Sequence, residues 1–455
     1  MELSFNELVL AVNGEVLVDN ENRTFNDVNT DTRKIEKNNI FIALNGENFN
    51  GNKYAKDALE KGASIVIVDE VIEDIQSLNG LGIVIKVKNT YDALLDLAHY
   101  YRTKLGIKVV GVTGSTGKTS TKDLVAAFLS EKYKVFKTKG NFNNEVGLPL
   151  MIFQLDSTYD VAVLELGMSD LGEIHRLAKC SRPDIALITN IGLSHLENLK
   201  TRENILKAKM EITDFFTNEN VLIVNAEDDY LPNVESDSYK VIKTGYDEKY
   251  LFSAKDVELS NKETSFTLVS NEGEYRFDIP MVGAHNVLNA LLGIAACREL
   301  NVSYEDMIKG LDSLEATSMR LQFIEKDKFT IINDCYNASP DSMKAALDVL
   351  NNIDAKGRKI AVLGDMNELG SASDEAHREV GKYAKDRADI LISTGKQKEN
   401  YKIGFEKDSA KLYNSKEELI DNIKNIVKEG DVIIVKASRG VKFEEIVKAL
   451  ENLDI

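Results

Sequence analysis

Gly111-Val112-Thr113-Gly114-Ser115-Thr116-Gly117-Lys118-Thr119 stands between an apolar stretch, residues 108–112, and an amphipathic one, residues 118–129. A strand that turns through glycines into a helix is the context a phosphate-binding loop needs. Glycines let backbone amides face phosphate oxygens, and the helix N-terminus adds the positive end of its dipole. In this pattern Thr113, Gly114, Ser115, Thr116 and Gly117 form the cradle, Lys118 reaches the outer phosphates and the Thr119 hydroxyl takes a Mg²⁺ ion. The strict pattern wants its first glycine at position 112. Here that position is Val112 and the glycine comes one residue earlier, which speaks against an ordinary GTPase or ATPase motor. The plain alternative is a glycine-rich turn without a ligand.

Working outward, residues 161–166, 184–189 and 221–225 are near-continuous apolar runs, as in parallel strands covered on both faces. Glu165 closes the first of these runs, beside the loop, where a magnesium ion must be held. His195 follows the second; a histidine there is either structural or a ligand to a second metal. Lys209 lies on a helix starting near Arg202 and, by itself, reads as an exposed helical lysine. Residues 264–270 and 274–280 alternate apolar and polar around Asn271-Glu272-Gly273, an antiparallel hairpin appended to the sheet. A helix over 286–300 follows.

Upstream, strands at 40–44, 64–69 and 83–87 alternate with helices at 54–61 and 91–104. Downstream, strands at 329–333, 359–363, 389–393 and 431–435 form another α/β series, closed by a helix at 443–451. At roughly 150 residues per domain, 455 residues suit about three domains. The rhythm divides them as 1–105, 106–316 and 317–455.

A hydrophobic content of 43% supports packed cores rather than disorder. The longest apolar run, residues 290–297, is far below the roughly 20 residues that cross a bilayer. Glu2 and Glu7 stand where a secretion signal would be basic. The net charge of −18 argues against nucleic acid and anionic membrane as partners. Cys180, Cys297 and Cys335 are too scattered for a disulfide framework or zinc cluster and fit reduced thiols in a cytoplasmic protein. The charge is unevenly spread: in residues 106–140 seven lysines face only Asp123 and Glu131, so the phosphate-loop segment is locally basic. His99 and His175 read as structural. His377 either supports the segment at 364–370 or sits on a helix surface. Glu227-Asp228-Asp229 reads as a turn after a strand.

Together these residues resemble the Mur ligases of cell-wall synthesis, three-domain ATP-dependent amide-forming enzymes. The family's loop, Gly-x-Thr-Gly-[Ser/Thr]-x-Gly-Lys-[Thr/Ser], fits residues 111–119, displaced glycine included. The resemblance implies an N-terminal UDP-sugar domain, a central ATP domain and a C-terminal Rossmann-like domain. It also implies two Mg²⁺ ions, held by Thr119, Glu165, His195 and a Lys209 carrying a carbamate. Asn141-Phe142-Asn143-Asn144 is similar to the stretch facing the UDP-sugar, so Asn141, Asn143 and Asn144 become substrate candidates. Thr30-Asp31-Thr32-Arg33 and Asn45-Gly46 are similar to the UDP-binding region, which adds Thr32, Arg33 and Gly46. Gly283-Ala284-His285-Asn286-Val287-Leu288-Asn289 resembles the motif whose asparagines lie near adenine, Asn286 and Asn289 here. Arg320 is expected on phosphate, Asp334 on ribose and Asn337 near the nucleotide, arriving as the C-terminal domain closes about residues 315–320.

The stretch Asp334-Cys335-Tyr336-Asn337-Ala338-Ser339-Pro340 resembles the signature of the branch that adds D-alanyl-D-alanine to a UDP-muramoyl tripeptide through an acyl phosphate. Gly364-Asp365-Met366-Asn367-Glu368-Leu369-Gly370 and Val435-Lys436-Ala437-Ser438-Arg439 point the same way. The family's Phe-Asp-Gly-His is Phe49-Asn50-Gly51-Asn52 here, so binding roles are not carried onto Asn50 or Asn52. Ala437 replaces a common glycine. A sister Mur enzyme or folate-type ligase, or a P-loop nucleotide switch, are the alternatives. The expected state is a monomer.

Overall fold

The computed structural model describes residues 1–46, 49–71, 74–315 and 317–454. Residue 316, which ends the second expected stretch and lies within the expected hinge at 315–320, is outside the described residues, as is the last residue of the third expected stretch. The described residues form a five-, a nine- and a six-stranded sheet and a small two-stranded ribbon. Each large sheet falls inside one of the three stretches read from the sequence.

The first sheet runs Glu15–Val18, Ile83–Lys86, Ile65–Val68, Ile40–Ile42, Val28–Asn29, parallel except for its first pair. The helix Thr90–Leu105 leaves it and ends on Gly106, whose left-handed φ of 66° stops the helix. This helix packs on Glu173–Ser181, and one apolar core runs from the first sheet into the second.

The central sheet orders its strands Gly273–Ile279, Thr264–Ser270, Phe252–Leu259, Lys240–Gly245, Val221–Asn225, Ile185–Ile188, Lys108–Thr113, Val161–Glu165, Val135–Lys137. Val109, Val110, Val112, Val163, Leu164, Leu187 and Ile188 are at most 1% exposed. Burial of each such side chain stabilises the sheet by about 1.5–3 kcal/mol. Lys108–Thr113 lies between the strands that follow it in sequence on either side, so strand order reverses there. Open α/β sheets bind ligands at that point, at the C-terminal strand ends. The expected hairpin is present, but a third antiparallel strand, Phe252–Leu259, joins it to the sheet.

The glycine that breaks the strict loop pattern belongs to the strand. A Cβ on Gly111 would stand 2.9 Å from the Pro183 ring, so close packing explains it. The chain turns instead at Gly114 (φ 150°) and Gly117 (φ 81°). The helix Lys118–Leu129 then packs along His285–Glu299.

The third sheet runs Gln322–Glu325, Thr330–Asn333, Val432–Lys436, Lys359–Leu363, Ile390–Thr394, Ala410–Tyr413, parallel except for its first pair. Its leading helix, Pro340–Asn352, starts with proline in the first turn and a Ser339–Ser342 capping box.

Candidate active site

The turn after Ile185–Ile188 braces the phosphate loop. Asn190 accepts from the Thr116 amide (2.9 Å) and donates to its hydroxyl (2.8 Å), while the Asn190 carbonyl accepts from the Ser115 amide. Thr189 leaves room only for glycine opposite: a Cβ on Gly114 would fall 1.8 Å from its Oγ1. The helix beginning at Lys118 has no side-chain cap. Its first-turn amides and dipole therefore remain for an anion. Lys118 Nζ donates to the Gly114 carbonyl at 2.7 Å. Burial lowers its pKa, opposed by the Glu165 and Glu368 carboxylates and assisted by the Arg320 charge.

Register places Glu165 opposite Val112, at the foot of the loop. Its Oε2 accepts from the Thr119 hydroxyl at 2.8 Å and its Oε1 from Asn143 Nδ2 at 2.8 Å. The pair expected to share a magnesium ion is thus assembled. Among the described residues no cluster of three or more His, Cys, Asp or Glu side chains offers a self-contained metal cage. Magnesium needs none: one carboxylate, a hydroxyl, water and substrate phosphates complete its octahedron. The donor set fits that ion.

His195 lines the same cavity. Its Nδ1 stands 2.7 Å from Glu368 Oε2, and that buried nitrogen makes no well-aligned hydrogen bond among the described residues. The ring holds the Glu368 carboxyl below the usual range. Lys209, which reads as an exposed helical lysine, is 1% exposed. Burial, and then the Lys118 charge, push its pKa well below that of an ordinary lysine. It lies on Arg202–Met210 and does not line the cavity.

The cavity, about 1030 Å³, lies between the central and C-terminal units. Asn286 and Asn289 face it from the start of their helix; Asn289 Nδ2 donates to Asn286 Oδ1, and a Cβ on Gly117 would meet Asn289 Oδ1 at 2.7 Å. From the C-terminal unit, the Arg320 guanidinium lies 4.2 Å from the Tyr336 ring centroid, and its buried Nε has no hydrogen-bond partner among the described residues. A buried donor without an acceptor suits an anionic ligand. Asp334 pairs through Oδ2 with Lys436 Nζ at 2.6 Å, and Lys436 also donates to the Asn337 carbonyl.

Asn141, Asn143 and Asn144 line the cavity, although Asn144 spends its oxygen on the Gly147 amide. Thr32, Arg33 and Gly46 do not line it. Arg33 is an exposed side chain paired with Asp31. Asn52, at the departure from the family pattern, is 1% exposed and bonds internally to Asn45, Asn50 and Asp69. Glu227, Asp228 and Asp229 serve the turn: Asp228 accepts from the Ile191 and Tyr230 amides, Glu227 from the Tyr246 amide, and Asp229 pairs with Arg202. Sequence reasoning gave no role to Asn190, Asp341 or Glu368; Glu368 stood inside the stretch at 364–370, whereas Asn190 and Asp341 carried no signal of their own. Lys436, quoted within the stretch at 435–439, was given no role there, although a lone charge ending the apolar run at 432–435 signals one.

Three family descriptions match the chain: the Mur ligase family catalytic domain over residues 24–102, the Mur ligase middle domain over 112–297 and the Mur ligase glutamate ligase domain over 319–439. A Bacillus subtilis protein named UDP-N-acetylmuramoyl-tripeptide--D-alanyl-D-alanine ligase is 42% identical, covering 94% of each chain. The crystal structure of MurF from Acinetobacter baumannii superposes with a TM-score of 0.91 at 30% identity, over 99% of both chains. MurF ligase from Thermotoga maritima in complex with ADP superposes at 0.82 and 30% identity, covering 93% of this chain and 97% of that one.

Proposed function

The chain belongs to the Mur ligase family, and on that premise we propose that it joins D-alanyl-D-alanine to a UDP-muramoyl tripeptide at the expense of ATP, making the pentapeptide precursor of peptidoglycan. The observation that carries this is the meeting, in one cavity, of an uncapped phosphate loop with Arg320, Asp334 and Asn337 from the C-terminal unit.

A carboxylate cannot be displaced by an amine without activation, because its leaving group would be oxide. Phosphorylating the terminal carboxylate of the tripeptide makes phosphate the leaving group. Positioning and charge neutralisation supply most of the catalysis in such a transfer. Lys118 and Arg320 approach the transferring group as cations, one from each unit. The loop amides hold the remaining phosphates. Asp334, steadied by Lys436, takes the ribose, and Asn286 and Asn289 lie beside the adenine. Asn141, Asn143 and Asn144 face the muramoyl substrate, with the UDP end reaching Thr32, Arg33 and Gly46.

Two magnesium ions, when bound, neutralise the phosphates and align the transferring group. Thr119 and Glu165 would hold one. His195 and a carbamylated Lys209 would hold the other. The low basicity of Lys209 supports that modification, since only a neutral amine attacks carbon dioxide. Closure of the C-terminal unit keeps water from the activated carboxyl. All these groups come from one chain, and we infer a monomer working in the cytoplasm, where ATP and UDP-linked sugars reside. Among the described residues no helix is long and apolar enough to cross a membrane.

Phosphate release from ATP, measured with UDP-muramoyl tripeptide and either D-alanyl-D-alanine or single amino acids, tests the assignment. Release that needs both the tripeptide and the dipeptide is expected. Release with a single amino acid would point to a sister ligase, and release with no acceptor to a nucleotide switch.

A further inference from the structure

We propose that Glu368 is a positioning residue for His195, delivered by the C-terminal unit, so that the metal side of the central unit takes its working geometry only when the two units meet. The proposal rests on the reading of His195 as a metal ligand.

The contact is built from both sides. His195 Nδ1 and Glu368 Oε2 are 2.7 Å apart, with 16% and 53% of the two side chains exposed. The backbones also dock: the Glu197 amide donates to the Glu368 carbonyl at 3.0 Å. Gly370 sits at φ 55°, and a Cβ on it would stand 3.2 Å from the Glu197 Cα, tighter than ordinary contact. Both His195 (φ 64°) and Glu368 (φ 67°) sit in the left-handed region, which residues with a Cβ adopt at a cost. Such conformations persist where surroundings impose them, and they cluster at functional sites.

The carboxylate is carried on a supported segment. The Met366 amide donates to buried His377 Nε2 at 2.9 Å, and the Asn367 amide to Ser438 Oγ at 2.9 Å. A side chain at the surface of the C-terminal unit is thereby held at one place.

An imidazole ligates metal through one nitrogen. A carboxylate on the other nitrogen fixes the tautomer and the plane of the ring. With Glu368 Oε2 2.7 Å from Nδ1, a slight turn that brings the pair into line makes Nδ1 the donor and leaves the Nε2 lone pair for the metal. The bland alternative is an interface ion pair that only helps the units adhere. Such a pair would leave metal affinity unchanged, and nothing about it would depend on an imidazole.

The test uses Mn²⁺ as the probe, titrated by electron paramagnetic resonance into the full-length protein with ADP present. Four proteins are compared: wild type, Glu368→Gln, His195→Ala and the double variant, with melting temperatures recorded alongside. Glu368→Gln should weaken Mn²⁺ binding about 10- to 100-fold, the usual cost of losing such a partner. It should cause little further loss in the His195→Ala background and leave the melting temperature in place. Wild-type Mn²⁺ affinity in Glu368→Gln, with weakened binding in His195→Ala, would overturn the proposal and leave His195 as a ligand. Wild-type affinity in both would remove the ligand reading as well. An equal loss with and without the imidazole would show Glu368 acting elsewhere, which also overturns it. Should Glu368→Gln fold poorly, Glu368→Asp, with its carboxylate drawn back by one methylene, is read in the same way.

Discussion

The Thr317 hydroxyl donates a 2.6 Å hydrogen bond to Asp123 Oδ2, tying the segment that enters the C-terminal unit to the helix that begins in the phosphate loop. Asp123 is buried, and its other oxygen meets Lys137 at 3.0 Å and Lys122 at 3.3 Å. Three residues past Thr317 stands Arg320, so this tether sets where the arginine starts its reach. A hydrogen bond to a charged group contributes about 1.5–3 kcal/mol. If that is felt mainly in the closed state, Thr317→Val should raise the KM for ATP by about tenfold or more. Steady-state titration with ATP checks this, and unchanged kinetics would mean that the tether does not govern Arg320.

Gly192 packs tightly against Asp341 of the C-terminal unit. A Cβ there would lie 2.2 Å from Asp341 Oδ2, a carboxyl whose pKa burial raises. Gly192→Ala should hold the units apart while each stays folded. Turnover should fall by about tenfold or more, since misplacement of around 1 Å can cost a hundredfold. Small-angle scattering should show ADP no longer compacting the protein. Gly192→Ala with Asp341→Ala should recover part of the loss, and no recovery would place the clash elsewhere.

Lys209 carries a chemical prediction. Lys209→Ala should lose most activity, and a short carboxylate such as acetate should restore part by standing in for the carbamate. Wild-type turnover by Lys209→Ala in bicarbonate-depleted buffer would exclude the modification from the mechanism.

His377 links the C-terminal segment to pH. Burial holds its pKa below the ordinary value of 6.5, and its neutral ring accepts from the Met366 amide. The unfolded chain therefore binds a proton before the folded one does. Its contribution to stability is complete above pH 6.5 and is lost as pH falls below that value through the folded pKa. His377→Phe should be less stable than wild type at pH 8. The gap in melting temperature should narrow below pH 6.5, and a constant gap would mean that the ring is not titrating there.

Much of this arrangement is written in local sequence, and the rest is not, for physical reasons. Val221–Asn225, Thr264–Ser270, Lys359–Leu363 and the helix Lys118–Leu129 follow directly from apolar periodicity, because their side chains face packed layers. Phe252–Leu259 escapes such reading: only its first half is buried, and Lys255, Asp256 and Glu258 interrupt the pattern. The phosphate loop and Glu165 are legible because strand ends and glycines announce them. Lys209 reads as a surface residue because what buries it is tertiary. Glu368 and Asp341 become informative only once two separately folded units touch, and no periodicity encodes that contact.

The central claim is that ATP activates the tripeptide carboxyl before the dipeptide amine attacks. Tripeptide carrying ¹⁸O in both oxygens of its terminal carboxylate, turned over with ATP and D-alanyl-D-alanine, tests it most directly. The account predicts one ¹⁸O in each inorganic phosphate released and the other retained in the new amide. Inorganic phosphate free of ¹⁸O, formed while the amide accumulates, would contradict it.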